Sequence, residues 1–414
     1  MNENSVPPTA RPYRWVLLGA LWFGYLSFGL NTSSLAPLIT PICAELNLSR
    51  SEMGLILGAW AMVFIGAAIP AGAIIDRFGI RKGLAAGIAL VALSGIARAF
   101  AFDGVSLFIA VGIFGLGGPL MSVGAPKLIV QWFDANERGT AVGLYMTGPF
   151  LGAALAISSA NSIWMPLFNG SWRLTLGVFA GVAVIAAITW IFTSYDAGMP
   201  ARTADSGPKG PTGFKGSMAL LEVPVVRIIL AMALAAFMFT HAMNSWLPEI
   251  LRARNLDAAT AGYLASIPTL VGIVSSLTIP RWAKPERRVH ALTALYACLA
   301  LATITITFTE GSGLIGGLVL LGVARVIGPM AVLILMEAPR VGARNMGAAT
   351  GLYFTVGEIG GVMGPTMIGI VADLTGGFQV GVLVLTGLAL FLMAMTFALR
   401  RALAQARSSG GELR

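Results

Sequence analysis

The sequence predicts an all-α membrane protein: twelve transmembrane helices in two pseudo-symmetric six-helix bundles. Three observations carry this. Of 414 residues, 57% are hydrophobic and only 11% charged, whereas a soluble domain runs at roughly 45–50% apolar and 25% charged. The apolar residues come in long runs, and about 20 apolar residues span a bilayer as a helix. These runs fall into two groups on either side of one polar stretch, and short motifs of the first group recur in the second.

Taken in order, the spans read as 14–40, 53–76, 81–102, 105–132, 138–160, 173–194, 222–247, 260–280, 289–308, 312–337, 345–371 and 376–400. The 51 glycines fit this reading, because membrane helices pack through small residues that let backbones approach. The polar opening Met1–Tyr13 leads straight into a long span, so the first helix is expected to act as its own targeting signal. Between Tyr195 and Glu222 the apolar pattern gives way to a stretch rich in Gly, Pro, Lys and Arg. The predicted organisation is therefore 1–196 as an N-terminal six-helix bundle, 197–221 as a cytoplasmic linker and 222–414 as a C-terminal six-helix bundle. Arg138-Gly139-Thr140-Ala141-Val142-Gly143-Leu144-Tyr145 aligns with Met346-Gly347-Ala348-Ala349-Thr350-Gly351-Leu352-Tyr353, and Gly118-Pro119 with Gly328-Pro329. Two repeated six-helix halves imply a central cavity open alternately to each side of the membrane.

The formal charge of +9 invites a nucleic-acid reading, but the cations sit in alternate loops and form no single patch. About 20 of the 27 fall in the N-terminus, the even-to-odd turns and the C-terminus. Arg50, Arg98, Arg173, Arg252 and Arg254 fall in the opposite loops. Cations are retained on the cytoplasmic face, so both termini are expected there, in a multi-pass protein of the cell (inner) membrane. Cys43 and Cys298 alone offer neither a disulfide framework nor a metal site.

The turn between spans 2 and 3 carries Gly72, Asp76, Arg77, Gly79, Arg81 and Lys82. Glycines at both shoulders are expected to let the helices approach. Asp76 is expected to accept from backbone N–H groups opening the next helix, and the cations to face lipid phosphates. Gly72-x-x-x-Asp76-Arg77-x-Gly79-x-Arg81-Lys82 resembles the signature that major facilitator superfamily transporters carry at this turn. Ile80 stands where the family commonly has its first cation. The corresponding turn of the second half, Pro280–Arg288, keeps its cations and loses the aspartate. The resemblance covers nearly the whole chain and implies a transporter whose spans 1, 4, 5, 7, 10 and 11 line the cavity. Gly117-Gly118-Pro119, Ala125-Pro126-Lys127-Leu128, Trp132-Phe133 and Trp246-Leu247-Pro248 resemble the organic-anion and cyanate-permease-like members. No arginine falls inside spans 2 and 8, unlike in the nitrate porters of the superfamily. Gly143 through Gly148-Pro149 to Gly152-Ala153 partly resembles the glycine-proline motif of its exporters.

Ionisable groups inside spans are costly and mark pathways or relays. Lys127, His241, Arg325 and Glu358 qualify. Arg325 and Glu358 lie near the middle of consecutive spans, where an ion pair is geometrically possible. Two readings stand: a buried pair that locks two helices, or Arg325 as a bidentate fork for a substrate carboxylate with Glu358 as the group that takes a proton. Lys127 is read either as reaching the interface or as an anion contact below the cavity, and His241 either as a packing residue or as a proton carrier. Tyr25, Asn31, Tyr145, Met146, Tyr353, Asn244 and Trp246 complete the candidate substrate contacts, each with helix packing as the competing role.

No catalytic constellation, cofactor motif or phosphate loop is present. The chain is thus expected to be a secondary active transporter of a small organic or inorganic anion, coupled to protons, and the superfamily resemblance implies a monomer. An exporter of drugs or metabolites is the first alternative, and a receptor or scaffold without transport the second.

Overall fold

The computed structural model describes residues 13–196, 220–338 and 341–410. Of the predicted linker only Leu220 and Leu221 are among them, opening a short 3-10 turn, Leu220–Glu222. Among the described residues the regular structure is helical. The longer helices are α1 (Tyr13–Ser33), α2 (Ile39–Leu46), α3 (Arg50–Phe78), α4 (Ile80–Ala99), α5 (Gly104–Trp132), α6 (Ala135–Ser159) and α7 (Trp172–Asp196). They continue as α8 (Pro224–Arg252), α9 (Ala258–Trp282), α10 (Arg288–Phe308), α11 (Gly311–Val323), α12 (Ile327–Met336), α13 (Gly342–Thr375) and α14 (Gln379–Gly410). Each predicted span has its helix, span 10 being divided between α11 and α12. Eleven segments among the described residues are long and apolar enough to cross a membrane. The first predicted span is interrupted: α1 ends at Ser33, and a 3-10 turn, Ala36–Leu38, separates it from the short α2.

Two compact units are distinguished: Met1–Ser206 with Asn255–Ser266, and Gly207–Arg254 with Ile267–Arg414. In the first, α1 lies against α6 through backbone contacts that only glycine permits. A Cβ on Gly29 would run into the backbone of Pro149, and one on Gly152 into the carbonyl of Leu26 and the amide of Leu30. In the second unit α8 and α13 meet in the same register, with Gly360 against the carbonyl of Leu234 and the amide of Met238. The internal repeat seen as sparse identity in the sequence is thus a repeat of backbone contacts. In lipid, where apolar burial alone does not hold helices together, such close approach supplies the packing.

The signature turn differs from expectation in three details. Gly79, with φ +84°, reverses the chain in one residue between α3 and α4. Gly72 has nothing within 4 Å of a would-be Cβ, and it is Gly83 that abuts Ile75. The first turn of α4 has no side-chain cap, its N-cap residue being Gly79, and the Asp76 carboxylate is engaged by Lys127. Arg98, counted above with the loop cations, lies in the last turn of α4 and is only 1% exposed. Its Nη1 donates to the Asn31 carbonyl at 2.6 Å and to Ser34 Oγ at 3.3 Å, a cation at the carbonyl end of α1.

Outside the spans, Glu45 of α2 accepts from Trp172 Nε1 at 2.6 Å and from Arg173 Nη1, while Arg173 Nη2 reaches the Ala101 carbonyl. These hydrogen bonds, Arg173 first, hold the Glu45 carboxyl below its ordinary range. The stability this contributes is complete above the ordinary glutamate range and is lost as pH falls through the depressed folded-state value. Thermal melts stepped from pH 7 to about pH 3 should therefore show Glu45→Gln losing less stability on acidification than the native chain. For the glycine contacts, Gly360→Leu should lower the unfolding midpoint by the equivalent of about 1–3 kcal/mol or more. Gly316→Leu, with nothing within 4 Å, should leave the midpoint unchanged.

Candidate functional site

The polar side chains inside the spans of the second unit gather on three helices. Phe237, His241 and Asn244 follow one another at spacings of four and three along α8, so they share a face. Opposite them α13 presents Gly357, Gly360, Gly361 and Gly364 with the same helical spacing. These glycines bring α13 close enough to place Glu358 against α8. A Cβ on Gly357 would meet the Phe237 ring at 2.9 Å, and one on Gly361 would strike the His241 imidazole and come within 2.8 Å of Glu358 Oε2. Glu358 is 5% exposed, its Oε2 lies 3.8 Å from His241 Nδ1, and that oxygen has no hydrogen-bond partner among the described residues. Around the pair Phe237 packs on His241, edge-on to Tyr353 and Phe354, at 5.7–6.1 Å between ring centroids.

Arg325 sits in a 3-10 turn, Ala324–Val326, that separates α11 from α12. Pro329 has no N–H to donate to the Arg325 carbonyl four residues earlier, which weakens the helix there. Pro119 at the matching place leaves α5 continuous, so proline alone does not make the turn. The arginine stem is accommodated by Gly272 of α9, where a Cβ would lie 2.6 Å from Arg325 Cδ. Its Nη2 donates to Asn244 Oδ1 at 2.7 Å, and its Nε has no partner among the described residues.

No ion pair joins Arg325 to Glu358, contrary to one reading of the sequence. The register of α8 against α13 instead gives the carboxylate to His241, and the arginine turns to the neutral amide of Asn244. The spacing of the α13 glycines, legible in the sequence, was the signal for the first of these. No single-helix pattern announces the second, because it depends on a glycine in α9.

The first unit carries apolar or small groups at the corresponding positions. In the register set by Gly152 and Gly360, Glu358 stands where α6 has Phe150, and His241 where α1 has Ser33. In the matching packing of α5 on α3 and α11 on α9, where Gly115 meets Trp60 and Val63 as Gly322 meets Pro268 and Val271, Arg325 stands where α5 has Gly118, whose Cβ would lie 3.1 Å from the Phe64 ring.

The remaining candidates divide by environment. Tyr25 donates to the Met121 carbonyl at 3.0 Å and lies 5.0 Å from the Tyr145 ring. Tyr145 and Tyr353 are each 1% exposed. Asn31 donates to the Ser27 and Phe179 carbonyls, and Trp246 Nε1 to the Pro365 carbonyl at 2.9 Å. These groups hold helices together, whereas Met146 is exposed. Lys127 pairs with Asp76, joining α5 to the signature turn. Arg77 and Arg81 lie over Phe78 and Tyr195, and Lys82 is exposed.

Repeated helical units, glycine-mediated contacts and charged groups within the spans define a polytopic membrane transporter. Residues 21–365 match the family model of the Major Facilitator Superfamily, and the chain belongs to that family; it is a transporter and not an enzyme. It is 24% identical over 395 residues to a hexuronate transporter of Bacillus subtilis (strain 168), covering 91% of this chain and 92% of the relative. It is likewise 24% identical over 429 residues to a probable galactarate/D-glucarate transporter of the same organism, covering 92% and 91%. Among solved structures, a bacterial homolog of the human lysosomal transporter Spinster, inward-facing and unoccupied, superposes with a TM-score of 0.76 at 14% identity, covering 96% of this chain and 98% of that one. That likeness shows the fold.

A double-mutant cycle separates the two pairings of the arginine. Arg325→Gln with Asn244→Ala should couple by about 1.5–3 kcal/mol, as a hydrogen bond to a charged group does. Arg325→Gln with Glu358→Gln should add to within about 0.5 kcal/mol; coupling above that would restore the direct ion pair.

Proposed function

We propose that this chain moves small organic anions across the cell (inner) membrane by alternating access, coupled to protons, as a monomer with both termini in the cytoplasm. The observation that carries the reading is Arg325: a cation inside a span, held by one neutral amide and by no carboxylate among the described residues. A charge left uncompensated at membrane depth costs several kcal/mol. A carboxylated substrate supplies the missing countercharge, and the planar guanidinium offers it a two-pronged contact. The relatives named for hexuronate and for galactarate and glucarate carry substrates of this chemistry, which supports the class without choosing among its members.

Glu358 is the proton site in this reading. Its Oε2 has no hydrogen-bond partner among the described residues and the His241 imidazole lies beside it, so a proton placed on either group changes the charge of a pair shielded by the Phe237 and Tyr353 rings. The remaining candidates, Tyr25, Tyr145, Tyr353, Asn31 and Trp246, support the helices that carry these groups. The cation distribution supports cytoplasmic termini.

The test is uptake into liposomes containing the purified chain, with glucuronate and galactarate as solutes and an imposed proton gradient. The native chain should accumulate at least one of them. Arg325→Gln should weaken its apparent affinity by roughly thirtyfold or more, the equivalent of about 2 kcal/mol, with Arg325→Lys between the two. Glu358→Gln should retain exchange of solute for solute and lose accumulation driven by pH. Unchanged pH-driven accumulation in Glu358→Gln would remove the proton role, and an unaffected Arg325→Gln, with apolar cations as the transported solutes, would turn the reading to an exporter.

A further inference from the structure

The turn joining α9 to α10 carries a feature that transport of an anion does not use. An open groove of about 770 Å³ lies there, lined by Thr278, Ile279, Trp282, Ala283, Glu286, Arg287, His290 and Ala291. A second, of about 290 Å³, runs between α10 and α14 and is lined by Ala294, Ala297, Phe397 and Arg400 among others. His290 belongs to the wall of both.

The grooves have one chemical profile. Their walls are largely apolar: Ile279, Ala283 and Ala291 in the first, Ala294, Ala297 and Phe397 in the second. Toward the helix ends they are cationic. Arg288 is already neutralised by Glu337. Arg287 and Arg400 have no ion-pair partner among the described residues, and Arg281 and Lys284 beside them have none either. Glu286 is the one acid on the rim and offsets a single cation. Trp282 is 85% exposed, an indole where amphipathic rings settle at headgroup depth.

We propose that these grooves hold an anionic phospholipid, its phosphate among Arg287, His290 and Arg400 and its acyl chains along the two apolar walls. A free inorganic anion fits the cations but leaves apolar walls of this size wet. A zwitterionic lipid fits the walls but brings no net charge to a cluster with cations in excess. An anionic lipid satisfies both, and basic clusters at span ends attract such headgroups.

The experiment uses the full-length chain, purified and stripped of lipid, with retained lipid counted by native mass spectrometry and the unfolding midpoint followed in parallel. The probes are phosphatidylglycerol, phosphatidylcholine with the same chains, and inorganic phosphate. Phosphatidylglycerol should be retained at least tenfold more tightly than phosphatidylcholine and should raise the midpoint, whereas phosphate alone should not. The double substitution Arg287→Gln with Arg400→Gln should cost at least tenfold in that retention, and Arg287→Lys with Arg400→Lys should keep it. Ala291→Trp, which fills a groove and leaves every cation in place, should also lose it. Equal retention of the two lipids, an undiminished response in both the glutamine pair and Ala291→Trp, or an equal midpoint shift from phosphate alone would each overturn the proposal. None of these readouts involves Arg325 or Glu358, so failure here leaves the transport reading standing.

Discussion

Backbone-to-backbone approach of helices through glycine is the constraint on which the rest of this structure depends. Within a bilayer, leucine gains little by leaving lipid for protein, so helices associate where they can come close enough for many atoms to touch. Gly29 and Gly152 provide that in the first unit, and Gly360 and Gly364 in the second. Once carbonyls of α8 rest on glycines of α13, the register of the two helices is fixed, and with it every side-chain meeting along the seam. Glu358 and His241 come together because the glycines beside them leave no other arrangement.

The same constraint explains how a repeated fold comes to be unequal. Both units keep the contacts that hold α1 to α6 and α8 to α13, and these positions tolerate little change. The side chains just off the seam are free to differ. There the second unit has a glutamate and a histidine where the first has phenylalanine and serine, and an arginine where the first has glycine. The scaffold is duplicated, and the charge within the spans is concentrated in one copy. Arg98, a buried cation of the first unit, serves the carbonyl end of α1 and lies over the Phe114 ring, 5.3 Å from its centroid, a structural use of charge.

Much of this was legible in the sequence. The twelve spans follow from the length of the apolar runs, and the repeat from Gly118-Pro119 and Gly328-Pro329 with the two Gly-Leu-Tyr segments. The four ionisable groups in spans could be read directly, because a charge among apolar neighbours stands out without knowledge of contacts. Their partners could not. Lys127 and Asp76 lie on different helices far apart in sequence, and Arg98 reads as a loop cation until the packing of α4 on α1 is known. The early end of α1 was likewise hidden, because the apolar run resumes at Leu35, directly after Ser34, and carries on through the 3-10 turn.

The exchange between Gly118 and Arg325 has a consequence for how the first unit can change. In the second unit the arginine is admitted because its neighbour in α9 is Gly272. In the first, the residue at that neighbouring place is Phe64, whose ring already lies against Gly118. A cation at position 118 therefore has no room unless Phe64 is first reduced, and reducing Phe64 alone opens a void and loses the packing of its ring on Trp60. Neither step is favourable by itself. The charge asymmetry between the units is thus held in place by packing: the helix that carries the glycine decides which half of the molecule can hold a buried arginine, and a single substitution does not reverse it.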